Sequence, residues 1–200
     1  MGKFYAVKSG RENGIFLTWA ECEKQVKGFS GAQYKSFSSK QDALAYLEEK
    51  QIVVDDVHGL IAYVDGSYNK KTKEYGYGCV LIEGQTVIKK LYGKGNHPDY
   101  AAIHNVAGEI IGATVAVKYA IEHGYSLICI YYDYFGIEKW ATKQWQAMKE
   151  KTKEYQKFMQ DSQKKIKIYF MKVEAHTGVV YNVEADKLAK KAVGIQWVKD

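Results

Sequence analysis

The chain has 200 residues, 46% hydrophobic and 26% charged, with a formal net charge of +6, an ordinary composition for a soluble globular protein. No run approaches the roughly 18 apolar residues of a membrane span, and no apolar core of signal-peptide length opens the chain, so no membrane association is expected. Cys22, Cys79 and Cys129 are isolated and lack CxxC spacing, which argues against a disulfide framework and a zinc site and for a reducing compartment, by default the cytoplasm.

Residues 1–49 read as a small self-contained module. "KFYAVKSG" is a short strand, and "GIFLTWAECEKQV" starts as a second strand before turning helical. Thr18 stands at a helix N-cap with Glu21 three residues on, the spacing of a capping box. "AQYKSFSS" is a third strand, and Ser39 caps a helix over "KQDALAYLEEK" whose apolar face is Ala43, Leu44 and Leu47. Three short strands and two helices make a small core, which suits an appended binding module better than an enzyme.

A connector over 50–58 carries Asp55 and Asp56 without periodicity. "LIAYVDGSY" is then an apolar strand closed by Asp-Gly, and "YGYGCVLIEG" and "QTVIKKLYG" are two more strands joined by a tight turn. From Tyr100 the period changes. Ile103, Val106, Ala107, Ile110, Thr114, Val117 and Ile121 predict one long amphipathic helix ended by Gly124. "SLICIYYD" is apolar throughout, as a strand buried on both faces and parallel to a neighbour would be. Helical segments holding Trp140 and Trp145, the strand "KIKIYFMKVEAH" and the helix "VEADKLAKKAV" follow. This order predicts an α/β unit over 59–194: a mixed sheet with helices on its faces. Ten lysines between Lys139 and Lys172 face only Glu150, Glu154 and Asp161; a solvated helical face and a polyanion-binding surface both fit that pattern.

Four acids stand out. Asp65 and Asp133 each close an apolar strand, and ligand groups in α/β sheets gather at the carboxyl ends of strands. Glu109 lies beside the apolar Val106 and Ile110 in the long helix, one turn after Asn105. Asp186 lies in the last helix, one turn after Asn182. Taken singly, each has an ordinary reading as a turn residue or a solvated helical carboxylate. Together they sit on elements that one sheet would gather, and clustered carboxylates repel unless cations bind among them. Hard oxygen donors suit Mg²⁺ or Mn²⁺, and two such ions about 4 Å apart activate a water and stabilise the leaving oxygen of a phosphodiester. His176, in "EAHTG", titrates near neutrality when free and would serve proton transfer or product release; a surface histidine at a strand end is the plainer reading.

"YVDGSYN", "NVAGEI", "IYYDYFGIEKW" and "HTGVVYNVEAD" resemble, in order and spacing, the four active-site blocks of type 1 ribonuclease H. The resemblance spans 59–194. It implies the five-stranded ribonuclease H-like sheet and cleavage of the RNA strand of RNA–DNA hybrids, with two Mg²⁺ ions and 3′-hydroxyl and 5′-phosphate products. It makes Asp65, Glu109, Asp133 and Asp186 the metal-binding carboxylates and His176 the mobile histidine. Asn105 becomes a hybrid contact, and Asn182 a residue that orients the site around His176. The N-terminal module is similar to the hybrid-binding domain of such enzymes. By position, Trp19 and Tyr34 would stack on DNA-strand sugars and Lys35 would hold phosphate, although Ser36 stands where a second lysine is common. The interval from Asp133 to His176 is too short for the full basic protrusion of many bacterial members. The role of His104, beside Asn105, stays open. No obligate protein partner is expected, and a monomer is the default. A nuclease or recombinase of the same fold, and a hybrid-binding protein with a decayed catalytic half, are the competing readings.

Overall fold

The computed structural model describes residues 3–29, 32–48, 59–173 and 180–198. The chain divides into two compact units, Met1–Val53 and Val54–Asp200; the expected connector over 50–58 lies outside the described residues.

The first unit runs β1 (Phe4–Ser9), β2 (Gly14–Phe16), α1 (Trp19–Val26), β3 (Gln33–Phe37) and α2 (Lys40–Glu48). Its three strands form an antiparallel sheet in the order β2-β1-β3. The capping box at α1 forms as expected: the Glu21 amide donates to Thr18 Oγ1, and the Glu21 carboxylate accepts from the Thr18 amide. At α2 the Asp42 amide donates to Ser39 Oγ at 3.0 Å. Strand alternation sends successive side chains to opposite faces. Val7 thus packs with Cys22 and Val26 of α1, while Ala6 lies on the other side of the sheet from Val7 and is also buried. The apolar face expected for α2 is narrower than its sequence suggests. Ala43 is buried, but Leu44 is 41% exposed, because the next position on a helix lies about 100° around from Ala43.

The second unit continues β4 (Gly59–Asn69), β5 (Glu74–Glu83), β6 (Thr86–Gly95), α3 (Pro98–Ala101), α4 (Asn105–Glu122), β7 (Leu127–Tyr132), α5 (Gly136–Ala141), α6 (Glu150–Ser162), β8 (Lys167–Lys172) and α7 (Val180–Ala192). Its five-stranded mixed sheet has the order β6-β5-β4-β7-β8. The first three strands are an antiparallel meander, and β7 and β8 add in parallel. The fully apolar β7 is indeed flanked on both sides, and its residues Ile128 and Ile130 join Leu60, Val64, Ile110 and Val117 in the main core. A smaller apolar layer under α7 holds Val80, Ile82, Ala185 and Leu188.

Two local expectations need correction. The long helix does not start at Tyr100. A short α3 ends at Ala101, and His104, with φ of 52°, interrupts the chain before α4 begins at Asn105. Ile103 keeps its core contact from a turn instead of from a helix. Likewise β4 is not closed by Asp65-Gly66. Its pairing with β5 runs on to Asn69↔Glu74, whereas its parallel pairing with β7 stops at Tyr63↔Tyr131. Asp65 therefore lies inside a strand, but past the point where two strands part.

Glycines set how near the helices come. A Cβ on Gly108 of α4 would lie 1.9 Å from the Gly76 carbonyl oxygen and 2.6 Å from Gly66 Cα. A Cβ on Gly78 of β5 would lie 2.0 Å from the Ala185 carbonyl oxygen of α7. The backbones of both helices thus touch the sheet beside the acids they carry. Gly108→Ala should destabilise this unit by about 1–3 kcal/mol through overpacking. A lower urea midpoint at unchanged m-value is the expected readout; an unchanged midpoint would mean that α4 lifts off freely.

Candidate active site

The site is built where β4 and β7 separate. Asp65 and Asp133 each stand two residues beyond the last paired position, Tyr63↔Tyr131. The two tyrosine rings beneath them stack at 4.5 Å, holding the strand ends side by side. The close approach allowed by Gly108 brings Glu109 alongside from α4, and that allowed by Gly78 brings Asp186 from α7. Asp65, Gly66, Asn105, Asp133, Asn182, Val183 and Asp186 line a cleft of about 190 Å³. Glu109 lies beneath it, 1% exposed. A larger groove of about 430 Å³ runs between α4 and α6, but its Lys118, Lys157 and Lys165 are interspersed with Glu122, Glu154 and Asp161, so its charges offset one another.

The electrostatics follow from this crowding. Burial pushes the Asp65 carboxyl well above the usual carboxylate range, and the charges of Asp133 and Asp186 push it further. The Gly66 amide, which donates to Asp65 Oδ1 at 2.6 Å, and the Lys190 charge offset only part of this. Burial raises Glu109 in the same way, followed by the charges of Asp133 and Asp65 and a hydrogen bond with Asp133. Glu109 Oε2 is buried without a hydrogen-bond partner, as is Asn182 Oδ1. Buried acceptors with no donor are costly, and repelling carboxylates are stabilised by a cation.

As placed, no three His, Cys, Asp or Glu side chains among the described residues close into a metal-holding group. Asp65 turns one oxygen to its own neighbour's amide, and Asp186 Oδ2 accepts from both Lys190 Nζ and Trp197 Nε1 at 2.8 Å. The donor set nevertheless fits a hard divalent cation: all oxygen, anionic, mutually repelling and with an unpartnered buried oxygen at its base.

The structure thus gathers Asp65, Glu109, Asp133, Asp186, Asn105 and Asn182; His176 lies outside the described residues. In the first unit it joins Trp19 and Tyr34 as a surface pair, with ring centroids 5.7 Å apart and exposures of 42% and 44%. They are not core aromatics. Lys35 stands opposite Ala6 and Tyr34 opposite Val7, so Lys35 projects from the other face of the sheet, its ammonium 5.6 Å from the Phe37 ring. The lysines of α6 partly neutralise themselves, through Lys151–Glu154 and, just past its end, Lys164–Asp161.

The sequence reading left the role of His104 open and missed two further contributors. His104 packs its ring on Tyr68 at 4.6 Å, next to Asn105. Lys190 was available as the i+4 partner of Asp186 on a helix. Trp197 lies beyond the helix and had no periodic signal.

Comparison with known proteins bears on both units. The family model described as Ribonuclease H1 N-terminal domain matches residues 3–47, and the RNase H model matches residues 58–194. The chain is 54% identical over 46 residues to a Ribonuclease H of Saccharomyces cerevisiae and 35% identical over 74 residues to one of Schizosaccharomyces pombe. These matches take in 23% and 37% of this chain, but only 13% and 25% of the relatives, well short of two thirds of their length. Among solved structures, RNase H1 from the halophilic archaeon Halobacterium salinarum NRC-1 shares the fold at TM-score 0.57 and 19% identity, over 68% of this chain and 98% of that one. LC11-RNase H1, solved in complex with an RNA/DNA hybrid, does so at 0.56 and 15%, over 68% and 96%. With its RNase H match extending over more than half its length, the chain belongs to the RNase H family.

Proposed function

We propose that this chain is an endoribonuclease that hydrolyses the RNA strand of RNA–DNA hybrids. The observation that carries the reading is the mutually repelling set Asp65, Glu109, Asp133 and Asp186, with Glu109 fully buried, around one cleft at the end of the β4–β7 ladder. In this reading the four carboxylates hold two divalent cations, Mg²⁺ or Mn²⁺. When bound, these supply a water acidic enough to attack at neutral pH and a counter-charge for the leaving oxygen.

The chain's own residues do the rest. Glu109, the most deeply buried of the four, fixes the floor of the cleft and leaves Oε2 available as a ligand to a cation. Asn105, at the first turn of α4, presents an amide beside Asp65, where it can donate to a 2′-hydroxyl or phosphate oxygen of the RNA strand. Asn182, a buried residue of α7, lines the other side. His176 is assigned proton transfer or product release. Attack on phosphorus with departure of the 3′-oxygen leaves a 3′-hydroxyl and a 5′-phosphate.

The first unit supplies grip. Two exposed aromatic rings on a small sheet suit sugars and bases of a nucleic acid. A hybrid has a wide, shallow minor groove with 2′-hydroxyls on one strand only, so it can be recognised by shape without reading sequence. The hybrid bound by LC11-RNase H1 supports the same substrate here.

The test is one assay with three end-labelled substrates in Mg²⁺: an RNA–DNA hybrid, duplex RNA and duplex DNA. Cutting confined to the RNA strand of the hybrid is the expected result. Cleavage of duplex DNA would favour a DNA nuclease or recombinase of the same fold, and no cleavage at all a hybrid-binding protein.

A further inference from the structure

Asp186 is held from a direction that the family motifs do not describe. Gly194, with φ of 69°, takes the left-handed conformation just past α7, and the Ile195 amide donates back to the Lys190 carbonyl at 2.9 Å. This is the geometry of a Schellman helix ending, in which the chain folds back over the last turns. The Val193 carbonyl accepts from Asn69 Nδ2 at 2.9 Å, which ties this reversal to the end of the strand that carries Asp65. The reversal returns Trp197 along α7 until its Nε1–H meets Asp186 Oδ2 at 2.8 Å. Lys187 Nζ lies 4.4 Å from the centre of the Trp197 ring, and Lys190 Nζ reaches the same Asp186 oxygen at 2.8 Å.

We propose that Trp197 is a positioning residue for the cation site: with Lys190, it fixes the orientation in which Asp186 meets a divalent ion. Both donors converge on Oδ2, so the carboxylate is turned by them while its second oxygen is used by neither. The two donors are not equivalent. Lysine is a flexible point charge that swings with the carboxylate and competes with an incoming cation. An indole is rigid, with few torsions to freeze, and its neutral N–H orients an anion without cancelling its charge. The ammonium of Lys187 over the ring keeps that donor in place. Outer donors of this sort set metal affinity by holding a ligand in its binding pose.

The inference rests on the reading of Asp186 as part of the cation site, and the experiment separates the two. Calorimetric titration of the full chain with Mn²⁺, without nucleic acid, is compared for the unsubstituted protein, Trp197→Phe, Asp186→Asn and the double variant. Phenylalanine keeps a ring under Lys187 and removes the donor. Trp197→Phe should weaken Mn²⁺ binding about 10-fold, Asp186→Asn should weaken it as well, and the double variant should be no weaker than Asp186→Asn. Unchanged affinity in Trp197→Phe beside a weakened Asp186→Asn overturns the positioning role alone. Unchanged affinity in Asp186→Asn overturns the placement of Asp186 in the site. In the unsubstituted protein, the Trp197 indole N–H resonance should move on adding Mg²⁺ and stay put in Asp186→Asn. A resonance that ignores Mg²⁺ in both also overturns the role, whatever the fate of the phenylalanine variant.

Discussion

Glu109→Gln should abolish hybrid cleavage and, in the same protein, raise the melting temperature measured in EDTA. The two effects share one cause. Glu109 is buried, and burial first, then Asp133 and Asp65, lift its carboxyl well above the ordinary range. The folded protein therefore holds this proton more tightly than the unfolded chain. Stability from the protonated form is complete below about pH 4, the unfolded value, and is lost as pH rises through the folded one. As pH rises without cations, ionising Glu109 in the native state places a buried charge beside Asp133 and Asp65. Glutamine removes the charge and keeps the volume, for a gain on the order of 1–2 kcal/mol, or about 3–6 °C in the transition of the second unit. The gap should open as pH rises above the unfolded value. Mg²⁺ should then raise the melting point of the unsubstituted protein more than that of the variant. Activity should fall by at least about 1,000-fold, since a group acting on the reacting charge is lost. A variant that melts lower in EDTA at pH 8 would make Glu109 a structural hydrogen-bonding residue, and one that still cleaves would remove it from the chemistry.

Asp65 was similarly legible, for a reason that held only in part. The alternation and apolar runs of "LIAYVDGSY" and "SLICIYYD" carry the strand assignment and the parallel pairing, because burial on both faces writes itself into composition. The acid after the run was read as a strand end. In fact β4 goes on to Asn69, and what ends at Tyr63 is its ladder with β7. The position is the same, but the cause is a parting of strands, which depends on a partner distant in sequence. Glu109 was visible as a charge beside the apolar residues of a helix. Its distance from Asp65 was not, since that is set by Gly108 of α4 meeting Gly66 of β4 where helix and sheet touch. The break at His104 was hidden for a related reason. Ile103 keeps the helical spacing and packs on the core, so periodicity passes straight over a turn. Trp197 was invisible: its contact needs the chain to reverse at Gly194, and a reversal has no period.

Trp19→Ala and Tyr34→Ala should each weaken hybrid binding roughly 10-fold, at stacking energies of about 1–3 kcal/mol per aromatic contact, and should leave the turnover rate at saturating hybrid unchanged. The pair is large, rigid and solvent-facing, with Tyr5 5.8 Å behind Trp19 as support. Apolar area this exposed on so small a unit contributes little to folding, so truncation should cost binding far more than stability. Lys35→Ala makes the contrast. Projecting from the other face of the edge strand β3, it meets a ligand held by Trp19 and Tyr34 only at its rim. Its loss should weaken binding a few-fold at low salt and flatten the salt dependence by about one ion, the signature of a single phosphate contact. Fluorescence anisotropy with a labelled hybrid, in an Asp133→Asn background that binds without cutting, measures all three at two salt concentrations. If the aromatic variants bind as the parent does while Lys35→Ala loses most of the affinity, the grip lies on the opposite face of the sheet. The exposed pair would then have some other partner. If all three bind as the parent does, the second unit holds the hybrid by itself.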